Sequence, residues 1–258
     1  MEKRKYALSK TQEVCKIRKL GICLFVHDVK ERDEWFRSTV KSINKQYVVE
    51  NWSIHMFALH DKVTDKDTLD YLAKQGFMPV ECGESQLDKF DTAMNMDVDY
   101  VAIAHDDDPW TPEKLTVMLG LVDESPVIVS AYTTRHEDGR GNTYECPVKY
   151  NTENFLTYCV MSGWILKTGI KYDPGSDDWY GIEQRLLASL NHHYPVTINV
   201  TPTFQYTEHQ DRISDNREGG AEMWENSVAY MRSIPSHKTI FKAYYDQHKR
   251  DVIKWSYM

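Results

Sequence analysis

Short apolar runs alternate with amphipathic segments through the first 130 residues, and this order restricts the chain to few folds. The run LGICLFVH at 20–27 is apolar and bounded by charged residues, which predicts a buried strand. The next segment carries Trp35, Phe36, Val40 and Ile43 at the three- and four-residue spacing of a helix. Because the same order recurs along this half, we predict a mostly parallel α/β sheet with helices on both faces.

The other elements are predicted from the same two periodicities. Strands are expected at 52–59, 77–82, 99–104, 127–132, 158–166 and 196–200, and helices at 69–76, 86–96, 113–122, 181–193, 221–232 and 237–255. In parallel sheets of this kind, ligands bind at the carboxyl ends of the strands. The loops after Val26, Leu59 and Ala104 are therefore the expected positions of a site.

Composition excludes several classes of protein. The 258 residues suffice to bury a core without disulfides, and the five cysteines include no C-x-x-C pair, which favours a reducing compartment. No apolar run approaches the ~20 residues that span a bilayer. The charged start lacks the apolar region of a secretory signal, so a cytoplasmic location is expected.

Charge is unevenly distributed along the chain. Residues 1–19 carry seven Lys or Arg against two Glu, and residues 232–258 carry six against two Asp, although the formal net charge is −8. The acidic body with basic ends has two interpretations. The ends are either solvated surface helices or contacts to phosphate on nucleic acid or a lipid carrier.

Three adjacent aspartates follow the fourth predicted strand: Asp106, Asp107 and Asp108. Their mutual repulsion predicts a compensating cation, and a divalent ion with oxygen ligands would also bridge to a diphosphate. The alternative is a solvated acidic turn that caps the next helix, whose dipole favours negative charge at its start. The position at the carboxyl end of a strand favours the metal site.

Three blocks in order make the first half similar to the GT-A fold nucleotide-sugar glycosyltransferases, especially family 2. They are LGICLFVHDVKERDEWFRSTVKSINKQ, IHMFALHDKVTDKDT and DYVAIAHDDDPWTPEKL, and they cover roughly residues 20–125. The resemblance implies a Rossmann-like central sheet and a nucleoside-diphosphate sugar donor. It also implies Mn²⁺ or Mg²⁺ as the metal, and an enzyme that transfers a hexose or pentose, more often with inversion than retention.

The resemblance also implies which residues bind the donor: Val26, His27, Asp61, His105, Asp106 and Asp107. In one register the first aspartate of the family's motif falls on His105 and the metal-binding second on Asp107. In the other register Asp106–Asp108 is itself the Asp-x-Asp motif. Both registers stay open, with Asp107 and Asp108 favoured as metal ligands. The first aspartate of the second block is replaced by His60, which leaves Asp61 as the expected nucleobase contact.

The second half contains YDPGSDDWYGIEQRLL, which resembles the acceptor-side motif of several GT-A enzymes. On that match, Trp179 and Gly181 shape the acceptor loop, Glu183 is the first candidate for the catalytic base, and Asp178 is the second. His209 is a third expected ligand of the metal or the diphosphate. A structural interpretation of the two acids stays open: Asp178 as a cap of the following helix, and Glu183 as a first-turn acid that the helix dipole stabilises.

The resemblance divides the chain into a basic arm at 1–19, a GT-A domain at 20–220 and a helical C-terminal extension at 221–258. Within the domain, 20–132 would bind the donor and 133–220 the acceptor. The acceptor is a glycan, a protein, a lipid carrier or a hydroxymethylated DNA base, with DNA contact through the basic ends. Two alternatives remain: a sugar-phosphate nucleotidyltransferase, and a non-catalytic relative that binds carbohydrate or nucleic acid.

Overall fold

The architecture is taken from a computed structural model of the chain. It describes residues 17–27, 32–47, 49–136, 142–145, 160–175, 182–199, 201–208, 229, 240–245 and 251–256. The predicted helix at 221–232 lies outside these residues apart from Ala229.

Twelve strands and five helices are found in the described residues. The strands are β1 Arg18–Phe25, β2 Trp52–His60, β3 Met78–Glu81, β4 Tyr100–His105, β5 Val127–Ser130, β6 Tyr132–His136, β7 Asn142–Glu145, β8 Trp164–Lys167, β9 Val196–Asn199, β10 Gln205–Glu208, β11 Ile240–Tyr245 and β12 Asp251–Ser256. The helices are α1 Asp33–Ile43, α2 Lys66–Lys74, α3 Gln86–Met94, α4 Lys114–Leu119 and α5 Ile182–His193.

Nine of the described strands form one sheet, in the order β12-β11-β9-β5-β8-β4-β1-β2-β3. The pairs from β3 to β4, and those of β5 and β11 with β9, are parallel, whereas β8 runs antiparallel to both neighbours. Three further strands form a small sheet, β10-β6-β7. The fold class predicted from the sequence, a mostly parallel central sheet flanked by helices, is confirmed.

The sheet is buried on both faces because successive side chains of a strand point to opposite sides. In β1, Cys23 and Phe25 pack with α3 and α5, whereas Ile22 and Leu24 pack with α1, α2 and α4. Such a strand is apolar at nearly every position, which is why LGICLFVH could be recognised. Among the strands of the described residues, β3 lies at one end of the sheet, pairs with β2 and carries Pro79.

Several predicted boundaries are corrected. The strand expected at 127–132 is two strands in different sheets, separated at Ala131. Of the strand expected at 158–166, Met161–Gly163 is a 3₁₀ turn and β8 begins at Trp164, because this run is apolar enough to fit either state. Gly76 ends its helix as expected and adopts φ +89°, a left-handed conformation that favours glycine.

The helix predicted at 237–255 is wrong. The residues 240–245 and 251–256 form the antiparallel pair β11–β12, which extends the main sheet beyond β9. Their sequences, IFKAYY and DVIKWS, are rich in aromatic and β-branched residues, which favour strands. The helical C-terminal extension is thus replaced, over these residues, by two strands. Among the described residues, no helix is both long and apolar enough to cross a membrane.

Candidate active site

The carboxyl ends of β1 and β4 lie side by side and bring two histidines and two aspartates together. Phe25 pairs with His105 in the parallel register, so the residues that follow each strand are neighbours. The backbone N–H of His27 donates to Oδ2 of Asp106 at 2.7 Å, and the ring of His27 meets that of His105 edge-on, with centroids 6.2 Å apart. Asp106 is buried, and its Oδ1 has no hydrogen-bond partner.

The positively charged side chain of Arg32 faces the carboxylates of Asp106 and Asp107. Arg32, the residue before α1, places Nη1 2.8 Å from Oδ2 of Asp107 and 3.7 Å from Oδ1 of Asp106. Its carbonyl accepts the N–H of Phe36 in the first turn of α1, which fixes the backbone at this point. We call Arg32, Asp106 and Asp107 the cation cluster. The side chains of Arg32 and Asp107 are 22% and 16% exposed, so the cluster is partly accessible to solvent through these two residues.

Asp108 points away from the cation cluster into the protein. Its carboxylate accepts the hydroxyl of Ser162 at 2.6 Å and the N–H of Thr207 at 3.2 Å. Lys114, also buried, donates to the carbonyl of Ser162 and stacks over the ring of Trp110 at 4.0 Å. Burial, with the charge of Asp107, raises the pKa of Asp108, whereas burial lowers that of Lys114. Asp108 therefore ties the loop after β4 to β10 and to the 3₁₀ turn.

Glu183 lies on the other side of His105, in the first turn of α5. Its Oε1 accepts the backbone N–H of Met161 at 3.1 Å and the side-chain amide of Gln86 at 3.2 Å, and lies 3.9 Å from Nε2 of His105. Gln86 is the first residue of α3 and also lies 3.2 Å from Nε2 of His105. Gln86, at the start of α3, and Glu183, at the start of α5, thus meet at the end of β4.

Burial sets the protonation of this group. It raises the pKa of Glu183 to about 7, against the hydrogen bonds from Met161 and Gln86, which favour the charged form. Burial, with a smaller contribution from His27, lowers the pKa of His105 to about 4, so its ring is neutral at pH 7. A carboxyl that titrates near neutrality can accept a proton from a hydroxyl.

The structure brings together five of the predicted site residues and places others elsewhere. His27, His105, Asp106, Asp107 and Glu183 converge at the ends of β1 and β4. Asp178, Trp179, Gly181 and His209 lie outside the described residues. Their predicted roles stay predictions.

Val26 and Asp61 are less directly placed at this site. The side chain of Val26 packs in the core, and its N–H donates to the carbonyl of Leu59. One oxygen of Asp61 accepts from the N–H groups of Val63 and Thr64 and from the Thr64 hydroxyl, which closes the turn after β2. The expected metal role of Asp108 finds no support in its position, because both of its oxygens are engaged inside the protein.

Sequence reasoning missed Arg32 and Gln86. Arg32 lies within the first block of the resemblance but was assigned no role there, and Gln86 lies outside all three blocks. Single polar residues near helix starts are common. For Gln86 a signal existed: Ser85 and Asp88 form a capping box, which fixes Gln86 as the first residue of α3. For Arg32 the signal was its place between β1 and the acidic first turn of α1, at the sheet edge where the aspartates also lie.

No protein-family model matches the sequence, and the comparison with curated proteins gives no match. Solved structures do resemble the fold. S. aureus TarS 1–349 in complex with UDP-GlcNAc superposes with a TM-score of 0.61 and 11% identity, over 85% of this chain and 68% of that one. The chain has a GT-A fold.

Two further solved structures resemble the fold. Glucosyl-3-phosphoglycerate synthase from Mycobacterium tuberculosis, in complex with Mn²⁺, UDP and phosphoglyceric acid, has a TM-score of 0.56 and 12% identity over 93% of this chain and 87% of that one. A structure described only as a mycobacterial protein gives 0.55 and 13%, over 94% and 85%. The structural neighbours thus include UDP-sugar glycosyltransferases, one of them with Mn²⁺ bound.

Proposed function

We propose that this protein transfers a sugar from a nucleoside-diphosphate sugar to an acceptor hydroxyl, with inversion, and that Glu183 is the general base. The observation that carries the proposal is a buried carboxyl with a pKa of about 7 beside two carboxylates that face a cation, all at the carboxyl ends of β1 and β4. The UDP and UDP-GlcNAc complexes of the structural neighbours support uracil as the nucleobase of the donor.

Glu183 is suited to the proton transfer. Its side chain is 18% exposed, and backbone and side-chain donors hold Oε1, so the carboxylate keeps one orientation. Proton transfer to a positioned carboxylate contributes about 10²–10⁴-fold to a rate. His105 is neutral beside it, so it does not bind the carboxylate as an ion pair.

The cation cluster fits a divalent ion. Mg²⁺ is commonly held by one or two carboxylates together with substrate phosphates, and Asp106 and Asp107 offer hard oxygen ligands, including the unpartnered Oδ1 of Asp106. Within the described ranges, no group of three His, Cys, Asp or Glu side chains could hold a metal by itself, so we propose that the diphosphate completes the set. When bound, the cation would neutralise the departing diphosphate.

Nucleotide binding is the first test. UDP with Mn²⁺, at about 100 times its dissociation constant, stabilises the folded state by about 2.7 kcal/mol. For a chain of this size that raises the melting temperature by roughly 5–10 °C. A thermal-shift screen of UDP, GDP, CDP and ADP, with Mn²⁺ or with EDTA, measures this and names the base. No stabilisation by any diphosphate would contradict the proposal.

Slow hydrolysis of the sugar donor is the second measurement, because Glu183 can also activate water. UDP-glucose and UDP-N-acetylglucosamine are the first donors to try, with release of UDP as the readout. A protein that binds UDP but hydrolyses no donor in any metal would be the non-catalytic relative, and the assignment of Glu183 as a base would be wrong.

The hydrogen bond from Gln86 lowers the pH at which Glu183 ionises, against the larger effect of burial, and Gln86→Leu tests this. Activity rises with pH as Glu183 ionises, with a midpoint near pH 7. Losing the Gln86 hydrogen bond disfavours the charged form, so the midpoint moves up by about 0.5–1 on the pH scale. His105 and Asp107 remain near Glu183 in both proteins. Gln75→Leu, in the turn after α2, is the control and keeps the original midpoint. A midpoint unchanged in Gln86→Leu would contradict this role.

A further inference from the structure

We infer that Arg32 is a donor-binding residue that occupies the cation position of the free enzyme and moves to the diphosphate when the donor binds. This inference rests on the proposed function and adds to it a residue that neither the sequence motifs nor the comparisons single out. It starts from one geometric fact: a single guanidinium nitrogen contacts both Asp107, at 2.8 Å, and Asp106, at 3.7 Å.

The two carboxylates of the cluster favour a nearby cation. Asp106 is 2% exposed and its Oδ1 has no hydrogen-bond partner, so this carboxylate depends on a nearby positive charge. Arg32 supplies that charge in the structure. A divalent ion held by the same two carboxylates would lie within a few ångströms of the guanidinium and repel it. Arg32 and the metal therefore compete for the cluster.

The displaced guanidinium has a suitable partner. The backbone of Arg32 is fixed at the start of α1, but its side chain is long and partly exposed, so the guanidinium can turn without moving the helix. A diphosphate bound beside the cluster brings anionic oxygens into reach. Guanidinium groups bind phosphate through two parallel hydrogen bonds, which an ammonium group cannot do.

Arg32→Gln should therefore change two affinities in opposite directions. Mn²⁺ alone, without nucleotide, should bind about tenfold more tightly, because its competitor is gone. UDP alone, in EDTA, should bind about tenfold more weakly, because a phosphate ligand is gone. Electron paramagnetic resonance of free Mn²⁺ and calorimetry of UDP measure these without any turnover. Arg32→Lys should keep the wild-type Mn²⁺ affinity and lose part of the UDP affinity.

Arg37→Gln is the matched control, since Arg37 lies in α1, which begins directly after Arg32, and its exposed guanidinium pairs with Asp33 and lies over the ring of Tyr71, away from the cation cluster. It should leave both affinities unchanged. If Arg32→Gln weakens both ligands, or changes neither, the inference is wrong while the proposed function stands. If the wild-type protein binds neither Mn²⁺ nor UDP, the proposed function fails and the inference fails with it.

Discussion

Glu183→Gln lowers the rate of sugar transfer or donor hydrolysis by about 10²–10⁴-fold, the contribution of a positioned general base. The substitution is isosteric, and the amide oxygen can still accept the N–H of Met161 and the amide of Gln86. UDP binding should therefore stay within about threefold of wild type, whereas the rate falls. Donor hydrolysis at saturating UDP-sugar, beside calorimetry of UDP, separates the two effects. A rate within tenfold of wild type would remove Glu183 from the mechanism.

The same variant should be more stable than wild type at alkaline pH. The pKa of Glu183 is about 7 in the folded protein and close to its ordinary value of 4.5 in the unfolded chain. Below pH 4.5 both states are protonated and the two proteins should be equally stable, apart from the substitution itself. As pH rises from 4.5 through 7, the unfolded state ionises first. The free energy of unfolding of wild type therefore falls by about 3 kcal/mol, whereas that of Glu183→Gln does not. Urea unfolding at pH 5 and pH 8.5 measures the difference.

Asp108→Ala should destabilise the fold by about 2–6 kcal/mol, because it leaves two buried donors without an acceptor, each of which costs about 1–3 kcal/mol. The change leaves the hydroxyl of Ser162 and the N–H of Thr207 without their acceptor, and it removes the carboxyl near Lys114. Urea unfolding by circular dichroism measures the loss.

Asp107→Ala is the matched control, one residue away. Its ion pair with Arg32 is partly exposed, so it should change the free energy of unfolding by about 1 kcal/mol or less, while weakening the binding of UDP with Mn²⁺. If the two variants lose equal stability, Asp108 does not have the structural role that its hydrogen bonds indicate. If Asp108→Ala stays fully stable but loses Mn²⁺ affinity, the sequence expectation of Asp108 as a metal ligand would be correct.

The sequence predicted those elements whose local hydrophobic pattern matches their burial in the folded protein. LGICLFVH is apolar at almost every position because β1 is buried on both faces, so its assignment needed no tertiary information. The same holds for the place of Asp106–Asp108, since any residue after β4 must lie at the ligand-binding edge of the sheet. Glu183 was found through a motif that opens α5.

The rest depended on information that a pattern does not hold. Three identical aspartates in a turn give no periodicity, so nothing in the sequence indicates that Asp107 faces Arg32 while Asp108 turns inward to Ser162. Gln86 comes to Glu183 from 97 positions away, through the packing of two helices on one face of the sheet. The residues of β11 and β12 were predicted to be helical because short aromatic runs fit both the helical and the strand periodicity. The pairing of the two segments in the sheet decides in favour of strands.

The end of the sheet at β3 bears on how copies of this chain meet. An outermost strand normally exposes unpaired N–H and C=O groups to which a strand from another molecule can add. Pro79, the second of the four residues of β3, has no N–H to donate, so a strand from another molecule would lack one backbone hydrogen bond there. The proline therefore disfavours the addition of another strand at this edge, although Met78 beside it is among the most exposed apolar side chains described.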